Sequence, residues 1–164
     1  MKKILMLVGN YGVGKSLLID NKILDVKDEL LLQISKRWWV LGTKINGADS
    51  VSKFDKKEVM RRIEKARVEG IIIAGNYYCS QSDVKRLSKN NDVSIVYLHT
   101  NFVNNAQRIA KRGGIINPTT YNQKLNAHVN LMKNCKKIAK IKILDNNRGL
   151  TEVKKDFEQI LKQI

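Results

Sequence analysis

Eight consecutive residues, Gly9-Asn10-Tyr11-Gly12-Val13-Gly14-Lys15-Ser16, constrain this chain more than any other stretch. They fit the phosphate-binding pattern G-x-x-x-x-G-K-[ST] without a mismatch. Before them, Ile4-Leu5-Met6-Leu7-Val8 is a short apolar run of the kind a buried parallel strand needs. After them, Leu17, Leu18 and Ile19 start a helical apolar pattern. Strand, glycine loop and helix in that order are what a phosphate cradle requires. Glycines let successive backbone N–H groups face one centre. Lys15 is placed to reach the β- and γ-phosphates, and the Ser16 hydroxyl to hold Mg²⁺. The loop, with Leu17 beside it, is therefore the candidate binding site for ATP, although nothing in the loop separates ATP from GTP.

The rest of the chain supplies a fold for that loop. Leu30–Ile34 and Trp38–Leu41 are apolar runs around Ser35-Lys36-Arg37 and read as a strand pair, or as a strand and a loop. Gly42 to Ser52 is polar and reads as loop. Asp55 and Glu58 form a capping-box-like start for a helix carrying Val59, Ile63 and Ala66, which Gly70 ends. Ile71–Ala74, Val93–Leu98 and Ile141–Leu144 read as strands. Helices are predicted from about Asp83 to Lys89, over Phe102, Ala106, Ile109 and Ala110, from Tyr121 to Ala139, and over Val153 to Ile164. Strands alternating with helices predict α/β architecture: a three-layer P-loop NTPase fold, with a five-stranded, mostly parallel sheet and helices on both faces. The 164 residues suit a single domain, 1–164, in which the family resemblance described below implies a lid at about 101–118.

Charge bears on the partner. The chain carries 31 Lys and Arg against 15 Asp and Glu, a net +16, and such a field attracts polyanions. Basic residues cluster at Lys53–Arg67 and Lys133–Lys142, and aromatic rings lie beside cations at Lys36-Arg37-Trp38-Trp39 and at Tyr77-Tyr78. Rings that stack on exposed bases contribute about 1–3 kcal/mol each. DNA is therefore the expected partner. Cys79 and Cys135 lack metal-ligand spacing and read as reduced thiols. The five apolar residues before Gly9 are too few for a leader, which needs roughly 7–15. No run reaches the roughly 20 apolar residues of a membrane span. A cytoplasmic protein is expected. His99 and His128, at a strand end and on an apolar helix stripe, read as structural.

The order of parts resembles the small P-loop kinases that act on nucleosides, nucleotides and polynucleotide ends. Arg108-Ile109-Ala110-Lys111-Arg112 is similar to their R-x-x-x-R lid, whose arginines stabilise charge on the transferring phosphoryl group. Asp145-Asn146-Asn147-Arg148 is similar to the loop that packs on the nucleotide base. Gly47-Ala48-Asp49, with the Gly75-Asn76 turn, resembles phage-type kinases, some of which phosphorylate 5-hydroxymethyluracil within DNA. The resemblance makes Asp49 the carboxylate that receives the acceptor's proton, with Asp25 and Asp28 as alternatives. One departure stands out. Those kinases end the third strand with an acid before glycine, whereas this chain has Ala74-Gly75.

Lys15, Asp49, Arg108 and Arg112 are thus the candidate catalytic residues, with ATP and Mg²⁺ as cofactors. Three readings follow. The first is a kinase for a hydroxyl on DNA, the second a kinase for a free nucleoside, nucleotide or other metabolite. The third is a nucleic-acid-binding NTPase without phosphoryl transfer.

Overall fold

The computed structural model describes residues 1–19, 25–28, 31–42 and 54–164. Its frame is one seven-stranded sheet. The strands are β1 (Lys2–Val8), β2 (Asp25–Asp28), β3 (Leu31–Gln33), β4 (Trp38–Leu41), β5 (Gly70–Ala74), β6 (Asn91–His99) and β7 (Lys140–Asp145). They lie in the order β2-β3-β4-β5-β1-β6-β7. Strands β4, β5, β1, β6 and β7 are mutually parallel, and β3 and β2 extend the β4 edge antiparallel. The helices are α1 (Lys15–Ile19), α2 (Lys56–Lys65), α3 (Gln81–Ser88), α4 (Phe102–Ala110), α5 (Pro118–Cys135) and α6 (Leu150–Gln163).

The apolar runs explain the three layers. Successive side chains of a strand point to opposite faces, so an unbroken apolar run buries both. Ile4, Met6 and Val8 of β1 join Ile71, Ile73, Val93 and Ile95 in one core, under α2, α3 and α5. Leu5 and Leu7 join Ile72, Val96, Leu98 and Phe157 in the other, under α1 and α6. Trp38 and Trp39, adjacent in sequence, divide between the two cores for the same reason.

The sheet has two strands more than the five the sequence predicts. The predicted pair at Leu30–Ile34 and Trp38–Leu41 becomes β3 and β4, joined by a turn in which Ile34 N–H donates to Trp38 O at 3.1 Å. Strand β2 has the sequence Asp-Val-Lys-Asp, which offers no apolar alternation to detect. Helix α2 stops at Lys65, and Gly70 opens β5 rather than ending the helix. Asp55 does cap α2, accepting from Lys57 N–H, but Glu58 turns to Arg61 and Arg62 instead of closing the box. Helix α5 spans Pro118–Cys135, so Ala139 lies beyond it. No helix among the described residues is long and apolar enough to cross a membrane.

Phe157 is fully buried where α6 crosses the sheet. Phe157→Ala should cost about 3–5 kcal/mol of folding free energy, measured by urea unfolding. A loss below about 1 kcal/mol would show that α6 is not part of the cooperative core.

Candidate active site

The loop Gly9–Gly14 leaves the C-terminal end of β1 and enters α1 at Lys15. It is pressed between its neighbours. A Cβ on Gly9 would stand 2.5 Å from the Leu98 carbonyl oxygen at the end of β6. Gly12 has φ +79°, and its Cβ would meet Ile109 of α4 at 2.7 Å. Neither position tolerates a side chain without moving the wall behind it.

Carbonyl oxygens repel phosphate, so a cradle works only if its own are turned to donors elsewhere. Here four of them are. Lys15 Nζ donates to Gly9 O at 2.8 Å and Asn10 O at 2.9 Å. Asn76 Nδ2 also donates to Gly9 O, at 2.9 Å. Asn105 Nδ2 donates to Tyr11 O at 2.7 Å, and Asn146 Nδ2 to Val13 O at 2.6 Å. The three asparagines come from the turn after β5, from α4, and from the turn after β7. Parallel strands bring all three to one edge of the sheet.

Asn76 is bonded at both ends of its amide, whereas three other amides at the loop are held at one end only. Oδ1 of Asn10, Asn105 and Asn146 is buried with no hydrogen-bond partner among the described residues. A buried oxygen without a partner costs about 1–3 kcal/mol.

Cations flank the loop. A cleft of about 250 Å³ is lined by Gly12, Leu17, Arg108, Lys111, Arg112 and Asn146, among others. Arg108 is half-buried on α4 and donates to Asn146 O at 2.8 Å and Val13 O at 3.3 Å. Burial pushes its guanidinium pKa down. Arg112 does not share the helix with it, because α4 ends at Ala110 and Arg112 sits exposed in the following turn. The turn still brings both arginines to the cleft. A larger cavity of about 620 Å³ lies by Trp38 and Leu161, near the start of β4 and so at the opposite edge of the sheet from the loop. Position, not size, makes the smaller cleft the candidate site.

The acceptor side is less complete. Asp49 lies outside the described residues. The β2 backbone that carries Asp25 and Asp28 is four strands from β1, roughly 19 Å at about 4.8 Å per strand. Ala74 is the last residue of β5, and the polar group next to the loop there is the Asn76 amide. No cluster of three or more His, Cys, Asp or Glu that could hold a metal occurs among the described residues. Mg²⁺ needs no such cluster, since it keeps several waters and takes few protein oxygens beside phosphate. Ser16, the second residue of α1, offers one such oxygen. Burial pushes the Cys79 thiol up to about 12, so it is not a nucleophile.

The sequence singles out Arg108 and Arg112, which line this cleft, but not Asn105, and it gives Asn76 and Asn146 no part in holding the loop. Their signal is positional: each follows a strand of the β5-β1-β6-β7 core at the edge where the loop emerges.

A scan against protein-family models and a search of curated proteins each found no match. Among solved structures, the chain is similar to a gluconokinase from Sinorhizobium meliloti 1021, at 14% identity and a TM-score of 0.54. The match covers 93% of this chain and 87% of that one. It is also similar to a shikimate kinase from Acinetobacter baumannii solved with shikimate, at 19% identity and a TM-score of 0.49, over 99% and 95% of the two chains. The gluconokinase likeness shows the three-layer P-loop fold.

The expected DNA partner is corrected by that likeness, since the fold matched along nearly the whole chain is that of a kinase named for a small metabolite. The stacking platform fails as well. Trp38, Trp39 and Tyr78 are buried, and only Tyr77 among the four rings is exposed. Several cations are also already paired, Arg61 and Arg62 with Glu58, Lys56 with Asp83 and Lys140 with Asp92.

Removing one carbonyl tie should loosen the loop. Asn105→Ala should weaken inorganic tripolyphosphate binding about tenfold by titration calorimetry, the effect of one lost hydrogen bond of about 1.4 kcal/mol. Unchanged affinity would separate Asn105 from the anion site.

Proposed function

We propose that the chain is an ATP-dependent kinase that transfers the γ-phosphate to a hydroxyl of a small metabolite. The observation that carries this reading is the loop itself: four of its carbonyls are tied to donors, and cations lie at its flank. The fold shared with the gluconokinase supports it. A sugar acid or related polyol, the class named by that protein, is the first acceptor to try.

In this reading the Gly9–Ser16 backbone and Lys15 hold the β- and γ-phosphates. The Lys15 ammonium already sits against the loop at Gly9 O and Asn10 O. An ammonium has three N–H donors, so it can bond a phosphate oxygen while staying against these carbonyls. Such a charge-assisted bond is about twice as strong as a neutral one. Arg108 and Arg112 stabilise charge that develops on the phosphoryl group in flight. Ser16 Oγ would hold Mg²⁺, whose charge would offset that of the phosphates. Asp49 orients the acceptor hydroxyl and takes its proton.

One observation favours a second reading, an NTP-binding protein without transfer. Ala74 ends β5 at the position where the kinases this chain resembles carry an acid, and the polar group beside the loop there is the Asn76 amide.

A panel with γ-labelled ATP separates the two. Label on sugar acids, polyols or free nucleosides supports the kinase, and label released only as phosphate supports the second reading. Lys15→Ala should abolish transfer. Asp49→Asn should lower kcat about 10²–10⁴-fold while ATP binding persists, the scale of a lost general base. Full activity in Asp49→Asn would remove Asp49 from the chemistry.

A further inference from the structure

The Asn76 amide pairs with both polar groups of Gly9. Its Nδ2 donates to Gly9 O at 2.9 Å, and its Oδ1 accepts from Gly9 N–H at 3.4 Å. This fixes which end of the amide is oxygen, because the turned amide would set oxygen against the Gly9 carbonyl. Behind Asn76 stands His128 of α5, 5% exposed. Its Nε2 lies 3.1 Å from the same Asn76 Oδ1, and its Nδ1 lies 2.7 Å from Lys124 O. Both partners are acceptors. A neutral imidazole has one N–H and satisfies one of them, whereas the imidazolium satisfies both.

We infer that Asn76 and His128 are a positioning pair for the phosphate loop, and that the pair couples triphosphate binding to uptake of one proton by the His128 ring. The inference rests on the nucleotide reading above. The groups facing the ring are known from each side. Tyr97 of β6 stacks on it at 5.3 Å, and burial pushes the Tyr97 phenol up to about 12, so that neighbour stays neutral. Asn76 is neutral. Lys15 of α1 and Lys124 of α5 itself are the charged groups, both positive. Burial first, then these two ammonium groups, hold the ring below the usual histidine value, against the raising effect of the bond to Lys124 O. Near neutral pH the free protein therefore keeps a neutral ring, which donates to one of its two acceptors and turns a lone pair toward the other.

A triphosphate beside Lys15 reverses the local charge. Negative charge favours the imidazolium, so the ring value rises on binding. The sign follows from linkage. Between the lowered free value and the raised bound value, the complex holds more protons than the free protein. Affinity is then highest on the acid side of that window and falls as pH rises through it, by at most about tenfold per pH unit for one proton.

His128→Gln tests this, since its amide still donates to Asn76 Oδ1 but does not titrate. MgATP binding is measured by calorimetry at several pH values, in buffers of different ionisation enthalpy. Protons exchanged by ATP itself are common to both proteins and cancel. Wild type should take up more protons than His128→Gln, and its pH slope should be steeper. Equal uptake in the two proteins overturns the pair and leaves the nucleotide reading standing. No MgATP binding by wild type overturns both. Should His128→Gln fail to fold, the ring is followed by NMR in wild type, with His99→Gln to assign it, as these are the two histidines of the chain. The His128 titration should then move up by about one unit on adding MgATP. An unmoved titration overturns the inference.

Discussion

The interaction on which the rest of the structure depends is the tying of the phosphate loop's carbonyl oxygens. A glycine-rich turn has as many carbonyls as N–H groups, and only the N–H groups favour an anion. Asn76, Asn105, Asn146 and Lys15 resolve that conflict by giving Gly9, Asn10, Tyr11 and Val13 donors of their own. The fold can be read as the device that delivers those donors. Strands β5 and β6 flank β1, and β7 lies next to β6, so the turns that follow them converge on the loop. The two cores that β1 divides, with Ile4 and Met6 on one face and Leu5 and Leu7 on the other, keep those turns in place.

Delivery has a cost. Three asparagine oxygens at the site are buried without partners among the described residues, and a stable fold would otherwise avoid this. Ser94 Oγ, within β6, is the other such atom among the described residues. Three of these four atoms lie around one loop. The same tension runs through His128, whose burial favours the neutral ring while its two acceptors favour the charged one.

Much of this was legible in the sequence, for physical reasons that can be named. Unbroken apolar runs such as Ile71–Ala74 announce strands buried on both faces, and the loop motif announces what lies between the first strand and helix. Short polar strand β2 left no such trace. The asparagines were illegible in their role because an amide that ties a carbonyl is made by tertiary placement, and Asn105 is separated from Tyr11 by 94 residues. The basic charge misled in the opposite way. Net charge describes a field, and a field does not say whether its rings are exposed; Trp38, Trp39 and Tyr78 went to the interior.

The central claim is that the loop reads phosphates beyond the first. Its most direct test is calorimetric comparison of ATP, ADP and AMP binding to the wild-type chain in the presence of Mg²⁺. Two or more charge-assisted contacts of about 1.5–3 kcal/mol each predict ATP at least about 100-fold tighter than AMP, with ADP between them. Equal affinity for ATP and AMP would contradict the account, because the carbonyl-tied loop would then hold nothing that the extra phosphates provide.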